Sequence, residues 1–490
     1  MNLPITLQVV WVGGFLAIAL FFGRARYLRY LEPLIWPLLI AVTVAVMMDQ
    51  RQYGPGTAGE QGWQIVDWAD AIPIGIRPDE ISVAVIFSAL FFLALQLARE
   101  RLRTQIGIER SSSSALAILF SASGITLAWT ATTGWLTFIG IALTLVGGFL
   151  VLGRSLQSTD GSECGARVLR EKCWGLSISM VGACAIGGVG GEFSWLSGLA
   201  WQDTTMTKVG AVLLCTGVAW LGQAIPFLSS SLTTAELGGA RAVILGQLMP
   251  AWAAFALVYR CEPLLRAAGI FPAFGWYPIA AIAFASASGL WQRSAPLALA
   301  AWVSATASLA FAALAFAGRL PAISAVLAFG AAAGGCALLI ESQSRLYKFF
   351  SLALIGAGIG FPGSLAAAGV VSWFAHFQEQ ILLLVVAWSA VFLVSIVGWK
   401  IGFLLGGEKK QGSGPPDWRE LALAGLALLP AGGIFLTGKV FSGAWKADDD
   451  VVFSSILDTF VETETGRLIP DVAANLTGIW LHGGLLVAAL

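Results

Sequence analysis

The chain has 490 residues, of which 57% are hydrophobic and only 11% charged. Soluble globular proteins carry about 25% charged residues, so this composition excludes a soluble domain and indicates a chain built mostly of membrane-spanning helices. Its 28 basic and 28 acidic residues cancel, so it lacks the positive charge that a nucleic-acid partner requires.

Apolar runs recur along the whole chain at the length that a membrane crossing requires, which is about 20 residues for a helix. The sequence therefore predicts an all-α polytopic membrane protein with about fifteen transmembrane helices, within a range of roughly 14 to 16. The predicted spans are 6–23, 30–48, 79–98, 112–129, 133–153, 173–190, 208–228, 242–260, 272–291, 296–317, 320–340, 349–372, 379–406, 419–438 and 472–490.

Basic residues in alternate loops predict the orientation of these helices. With the N-terminus outside, the inside loops hold twice as many Arg and Lys residues as the outside loops. Such an excess marks the cytoplasmic side of a membrane. We therefore expect an integral membrane protein of a bacterial inner membrane, in contact with lipid, with its N-terminus outside and its C-terminus inside.

Two polar segments separate the last helices. Residues 407–418 form a Gly/Pro linker on the inside, and residues 439–471 form an acidic segment on the outside. Within the latter, residues 451–461 have apolar side chains at helical spacing, which predicts an amphipathic helix along the membrane interface. Neither segment is long enough for a soluble catalytic domain.

The candidate ion-pathway residues lie mostly at the edges of spans. Charged groups in mid-membrane usually mark an ion or substrate pathway, but nearly all the predicted spans lack them in their middles. Asp79 begins the third span, Glu236 precedes the eighth, and Lys400 lies near the end of the thirteenth. We expect Lys400 at the level of the lipid headgroups.

Uncharged polar candidates occur within two spans, each followed by a proline. Gln223 precedes Pro226 by three residues, and Gln247 precedes Pro250 by the same spacing. A proline inside a span breaks or kinks the helix and frees backbone carbonyl groups, which can line an ion site. The sequence predicts helix breaks at both prolines.

Motifs for catalysis or for cofactor binding are missing. The six cysteines lack zinc or redox spacing, and buried cysteines of this kind behave as small hydrophobic side chains. The chain has two histidines, His376 and His482, which argues against a histidine-based metal site. We expect no catalytic residue, no metal and no cofactor in this chain.

One long stretch resembles a known family. Residues 214–260, LCTGVAWLGQAIPFLSSSLTTAELGGARAVILGQLMPAWAAFALVYR, resemble the broken seventh helix and the eighth helix of the antiporter-like subunits of respiratory complex I and of Mrp cation/proton antiporters. Anchored on Pro226 and Phe227, the alignment needs no gap as far as Arg260.

Three further stretches follow the order and spacing of the same family. Residues 133–154 resemble its fifth helix, with matches at Phe138, Gly140 and Leu143. Residues 78–82 resemble the V-D-G-L-S sequence at the start of a span, and residues 290–308 match at Arg293 alone. The resemblance covers roughly residues 70–340.

The resemblance implies two pseudo-symmetric five-helix units, each with one broken helix. The implied division is peripheral helices in 1–111, a first unit in 112–260 with its break near Pro226, a second unit in 272–406, and a linker, an outside amphipathic segment and C-terminal helices in 407–490. It also implies partners, namely other membrane subunits of a hetero-oligomeric complex.

The ionisable groups of the family are replaced in this chain. The fifth-helix glutamate falls on Ala142, the seventh-helix lysine on Leu221, the eighth-helix histidine on Gly246 and a later lysine on Gln292. None of these four side chains carries a proton that it can exchange near neutral pH. The resemblance therefore transfers no proton-relay residue to this chain.

Three hypotheses follow from these observations. The leading one is a subunit of a larger ion-translocating or respiratory complex, degenerate in its own proton relay and with a structural or coupling role. A second is an active proton or cation conductor that uses water held by Gln223 and Gln247, with Glu236 at the mouth. A third is an independent secondary transporter of a small solute.

Overall fold

The structure is a computed structural model, and its described part is almost entirely helical. One isolated antiparallel bridge joins Ile76 and Ala131. The described residues are 5–22, 32–53, 76, 80–105, 112–131, 133–152, 159–187, 204–222, 229–339, 355–356, 373 and 380–407.

The helices are numbered here in chain order. The first nine are α1 Ile5–Phe22, α2 Ile35–Tyr53, α3 Glu80–Gln105, α4 Ser112–Thr130, α5 Gly134–Val151, α6 Thr159–Gly187, α7 Thr205–Leu221, α8 Ser229–Val243 and α9 Met249–Ala267. A short π-helix, Ile244–Leu248, joins α8 to α9. The last four are α10 Phe271–Trp291, α11 Ala295–Phe316, α12 Arg319–Leu339 and α13 Ile381–Gly407.

The described helices match the predicted spans over much of the chain. Every predicted span up to residue 340, and the span at 379–406, overlaps a described helix. Within the described residues, six helical stretches are long and apolar enough to cross a membrane. The spans at 419–438 and 472–490, and all but residues 355–356 of the span at 349–372, lie outside the described residues. The total number of spans therefore stays a prediction.

Helix α6 is longer than the sequence predicted. It begins at Thr159, well before the predicted start at residue 173. The apolar pattern predicts a loop for the intervening residues, because Arg167, Arg170, Glu171 and Lys172 interrupt it. Those residue types have good helix propensity, so the helix continues through them. Arg167 and Arg170 are exposed, whereas Lys172 is buried.

Helix α8 also lies where the sequence predicted a loop, between the spans at 208–228 and 242–260. Its sequence, SSSLTTAELGGARAV, is polar, so the hydropathy pattern does not indicate a membrane helix there. Thr234 and Ala235 are nevertheless buried. Helix α7 ends at Leu221 and α8 begins at Ser229, so two separate helices occupy the stretch that resembles the family's broken helix. Pro226 itself lies outside the described residues.

The described residues fall into two compact units, one ending at Phe274 and the other beginning at Gly275. In the first unit, glycines bring helix backbones together. A Cβ atom on Gly140 of α5 would lie 2.6 Å from the carbonyl oxygen of Gly124 on α4, and one on Gly210 of α7 would lie 2.8 Å from that of Gly182 on α6. Such close approach strengthens helix packing in lipid.

In the second unit, α11 is the buried helix and α13 packs on it. The indole nitrogen of Trp302, which is fully buried, donates a 3.0 Å hydrogen bond to the carbonyl oxygen of Val394. Lys400 donates to the carbonyl oxygens of Gly289, at 3.3 Å, and Leu290, in the last turn of α10. A cation is stabilised at the C-terminal end of a helix, so Lys400 joins α13 to α10.

The N-terminal end of α1 is capped by a carboxylate from α2. Asp49 is completely buried, and its two oxygens accept hydrogen bonds from the backbone nitrogens of Ile5, at 3.1 Å, and Thr6, at 2.7 Å. The first amides of a helix lack partners within the helix, and a negative charge near them is favourable. Asp49 therefore supplies both partners and charge.

We expect Asp49→Ala to lower the free energy of unfolding by about 1 to 2 kcal/mol, since it removes this cap. Asp49→Asn is the matched control, because it retains one acceptor oxygen at nearly the same volume and should lose less. The measurement is equilibrium unfolding of the detergent-solubilised chain. An alanine variant as stable as the wild type would contradict the assigned role.

Candidate functional site

The structure describes half of the predicted site residues. Asp79, Gln223 and Pro226 lie outside the described residues, and their roles stay predictions. Glu236 is exposed on α8, whereas Gln247 is completely buried in the π-helix. The two therefore differ in environment, and no hydrogen bond between them is present in the described part of the chain.

Pro250 is the second residue of α9 and follows directly after the π-helix. A proline within a helix clashes with the carbonyl group four residues earlier, which here belongs to Gly246. The wider π-turn over Ile244–Leu248 is a local widening of the kind often found at functional sites. The helix therefore continues through Pro250 instead of ending there.

Gln247 is a polar side chain in an apolar environment. Its amide nitrogen donates to the carbonyl oxygen of Ser231 on α8. Its amide oxygen is buried and has no hydrogen-bond partner among the described residues. A buried acceptor without a partner costs about 1 to 3 kcal/mol, so this oxygen is a natural position for a water molecule or a polar ligand.

Gly246, where the family's histidine falls, is packed against the backbone of α5. A Cβ atom on Gly148 of α5 would lie 2.8 Å from the Cα of Gly246 and 3.0 Å from the carbonyl oxygen of Leu245. A Cβ atom on Gly246 would lie 2.9 Å from the Thr234 methyl group. A side chain at position 246 would therefore press on the Thr234 methyl group.

Leu221, where the family's lysine falls, is the last residue of α7 and is buried. Its carbonyl oxygen accepts a 3.2 Å hydrogen bond from the amine of Lys172 on α6. Lys172 is only 4% exposed and lies near the middle of α6. Lys172, on the neighbouring helix α6, therefore brings its amine to the backbone of Leu221.

A cavity of about 20 Å³ lies beside Lys172, between α5, α6, α8 and the π-helix. Most of its lining is apolar, and the polar side chains in the lining are Lys172 and Thr234. Gly148 and Gly246 also line it. The close backbone contact and the Lys172 side chain thus border the same cavity.

Sequence reasoning missed Lys172 because it assigned this residue to an inside loop. A usable signal was present in the stripe of small residues Gly175, Ser179 and Gly182, which packs against α7. Residues three or four apart share a helix face. Extending the stripe back by three residues reaches Lys172, on the buried face of the same helix.

A second polar cluster joins three helices in the first unit. The hydroxyl of Ser82 on α3 donates to the carbonyl oxygen of Trp129 on α4, at 2.6 Å. Arg260 of α9 donates to the Ser82 hydroxyl, at 3.3 Å, and to the Trp129 carbonyl oxygen. The Trp129 indole donates to the carbonyl oxygen of Trp252, at 3.1 Å.

This cluster joins two stretches of the family resemblance that are far apart in sequence. Ser82 belongs to the 78–82 motif and Arg260 ends the 214–260 alignment, and both bind the Trp129 carbonyl group. Arg260 is the last residue of the predicted span at 242–260, and it lies within α9, which continues to Ala267. The hydrogen bonds of the cluster run between its own members, which indicates a structural connection between helices.

Comparison by sequence identifies no relative: no protein-family profile matches the chain, and no curated protein matches it. Comparison by structure identifies similar chains in solved membrane complexes. A chain of the membrane-bound sulfane sulfur reductase, an archaeal respiratory membrane complex, matches with a TM-score of 0.74 and 15% identity, covering 91% of this chain and 97% of that one.

Two other solved structures are similar. A chain of respiratory complex I from Thermus thermophilus matches with a TM-score of 0.65 and 15% identity, over 88% of this chain and 97% of that one. A chain of the Mrp complex from Dietzia matches with a TM-score of 0.70 and 15% identity, over 98% of this chain and 55% of that one. The chain therefore has the fold of antiporter-like membrane subunits, as the resemblance implied.

The backbone contact between α5 and the π-helix can be tested with alanine. We expect Gly148→Ala to lower the free energy of unfolding by about 1 to 3 kcal/mol, because its methyl group would overlap Gly246. Gly14→Ala is the matched control, since a Cβ atom on this helical glycine would meet nothing within 4 Å.

Alanine favours a helix over glycine, so Gly14→Ala should leave stability unchanged or raise it slightly. Equilibrium unfolding in detergent measures both variants. If Gly148→Ala were as stable as Gly14→Ala, the contact with Gly246 would not be tight.

Proposed function

We propose that the chain is a membrane subunit of a larger ion-translocating or respiratory complex, with an incomplete proton relay of its own and a structural or coupling role. The observation that carries this proposal is the antiporter-like fold of the chain. The close contact of Gly148 with Gly246, at a position where the resemblance implies an ionisable side chain, supports the incomplete relay.

The neighbouring positions support the same conclusion. Proton transfer across a bundle needs titratable side chains or connected water along the whole path. Ala142 and Leu221 offer neither an acid nor a base. The Leu221 side chain is completely buried.

The exposed surface of the first two helices supports membrane partners. Trp11 and Phe15 of α1 are 64% and 63% exposed, and Ile40 of α2 is 62% exposed. Large apolar patches on a protein surface mark contact with membrane or with other proteins. Lipid and neighbouring membrane subunits are the surroundings that suit this surface.

The second candidate function is an active conductor, and Gln247 is the observation that favours it. Its unpartnered buried oxygen is suited to accept a hydrogen bond from water. The two candidates differ in what they require of Gln247 and Glu236. A conductor depends on both residues, whereas a coupling subunit does not.

The first test is purification of the chain from its native membrane in mild detergent, under conditions that keep known complexes intact. We expect other membrane subunits at fixed stoichiometry, because a chain with an incomplete relay acts through its neighbours. Mass spectrometry of the purified material identifies them. Recovery of the chain alone, or only with copies of itself, would overturn the proposal and favour an independent transporter.

The second test measures proton flux by the purified complex in liposomes with Gln247→Leu and, separately, with Glu236→Gln. We expect unchanged flux in both variants, since neither residue lies on a required path. A loss of about tenfold, equivalent to roughly 1.4 kcal/mol in the barrier, would favour the active conductor. Co-purification of the same subunits with each variant is the control for assembly.

A further inference from the structure

The C-terminal end of α10 carries an exposed tryptophan beside two cations. Trp291, the last residue of α10, is 87% exposed, and Arg293 follows it on the surface. Lys400 of α13 reaches the same end, because its amine donates to the carbonyl oxygens of Gly289, at 3.3 Å, and Leu290. Leu290 and Arg293 are three residues apart, so their Cα atoms are separated by at most about 11 Å. Both cations therefore lie close to Trp291.

The length of α10 places this end at a membrane surface. Its 21 residues give a helix roughly 32 Å long, which is close to the thickness of about 30 Å of a hydrocarbon core. Phe284 and Trp291 are both exposed, and their spacing of almost two turns puts them on one side of the helix. Tryptophan is enriched at the level of the lipid headgroups. This side of α10 thus offers lipid an apolar surface that ends in Trp291.

The described residues around this end provide no acidic side chain to balance the cations. In the described part of the second unit, from residue 275 onward, the charged side chains are those of Arg293, Arg319 and Lys400, all basic. Arg319 begins α12, at the opposite end of α11 from Arg293. Glu341 and Glu408, which follow α12 and α13 in the sequence, lie outside the described residues. Within the part described, Arg293 forms no hydrogen bond or ion pair.

The two cations keep donors and charge for a further partner. An ammonium group has three N–H donors, of which Lys400 uses two on α10. The C-terminal end of a helix carries a partial charge of about −0.5, so α10 balances only about half of the Lys400 charge. A guanidinium group offers a fork of donors that fits phosphate oxygens. Helix α11 begins at Ala295, and its N-terminal end adds partial positive charge beside Arg293.

We propose that Arg293, Lys400 and the exposed side of α10 form a binding site for one anionic phospholipid. The phosphate oxygens accept hydrogen bonds from the Arg293 guanidinium and from the third N–H of Lys400. Trp291 lies at the level of the headgroup, and an acyl chain runs along α10 past Phe284. A lipid suits this site better than a carboxylate of a partner subunit, because the cations adjoin an apolar surface with the length of a membrane crossing.

This inference goes beyond the proposed function, since it concerns the lipid-facing surface of the chain and holds for an isolated chain as well as for a subunit. The test uses the full chain, with any subunits that purify with it, in phosphatidylcholine nanodiscs. The probe is a small fraction of phosphatidylglycerol with a photoreactive acyl chain. Mass spectrometry measures the yield of crosslinks to residues 284–291.

We expect unlabelled phosphatidylglycerol to displace the probe from residues 284–291, whereas the same amount of zwitterionic phosphatidylethanolamine leaves the yield unchanged. Arg293→Gln should lower the yield about fivefold, which is the factor expected for one cation near an anionic lipid surface. Arg293→Lys should retain most of the yield. Arg319→Gln is the matched control, because it removes the same charge at the other end of α11 and should have no effect. Lys400 stays unchanged throughout, since it joins α13 to α10.

Three outcomes would overturn the proposal. Equal displacement by phosphatidylglycerol and phosphatidylethanolamine would show that this surface takes any phospholipid. Equal yields in Arg293→Gln and Arg319→Gln would show that Arg293 does not hold the headgroup. Residues 284–291 that are protected from the probe in a purified complex, but not in the chain separated from it, would assign this surface to a partner subunit instead of a lipid.

Discussion

Close contact between helix backbones is the constraint on which this bundle depends. Lipid is as apolar as a leucine side chain, so burying apolar surface between helices gives little free energy in a membrane, and packing must supply the stability. The glycine pairs of α4 with α5, of α6 with α7, and of α5 with the π-helix satisfy this requirement. At Gly246 the backbone of the π-helix packs directly against Gly148 of α5.

The second constraint is that polar groups within the bundle must find partners inside the protein. The described helices meet it at several points by connecting to one another at their ends. Asp49 caps α1, Lys400 binds the last turn of α10, and Arg260 binds the Trp129 carbonyl group. Lys172 follows the same rule at the end of α7. Unlike Asp49, Lys400 and Arg260, Lys172 also borders the cavity between α5, α6, α8 and the π-helix.

The sequence predicted the membrane class, the antiporter-like fold and most described helices, because apolar runs and helix length are directly visible in it. It failed where charged or polar residues belong to buried helices. Arg170 and Glu171 concealed the first turns of α6, and the serines and threonines of α8 resembled a loop. Both errors have one physical cause. Mean hydropathy averages over all faces of a helix, whereas burial differs from one face of the helix to another.

The candidate site was predictable only in part, for a related reason. Gln247 was recognisable as a polar residue in an apolar run, and its burial agrees with that. The contact of Lys172 with Leu221 joins residues 49 positions apart, and the cavity requires four helical elements to meet. Neither is encoded in a local pattern. The resemblance implies ionisable side chains at Ala142, Leu221 and Gly246, which this chain does not have there. Only the tertiary packing shows that the Lys172 amine lies near Leu221.

The contact of Arg260 with Ser82 spans 178 residues, and this has a consequence for biosynthesis. Chains are made from the N-terminus onward, at about 5 to 20 residues per second. Helices α3 and α4 are therefore complete roughly 6 to 26 seconds before Arg260 of α9 is made. During that interval the Trp129 carbonyl group lacks its arginine, so the first unit cannot reach its final packing by adding helices in order. Its completion waits for α9, and a ribosome that stalls before residue 260 leaves an unfinished bundle that quality-control proteases can recognise.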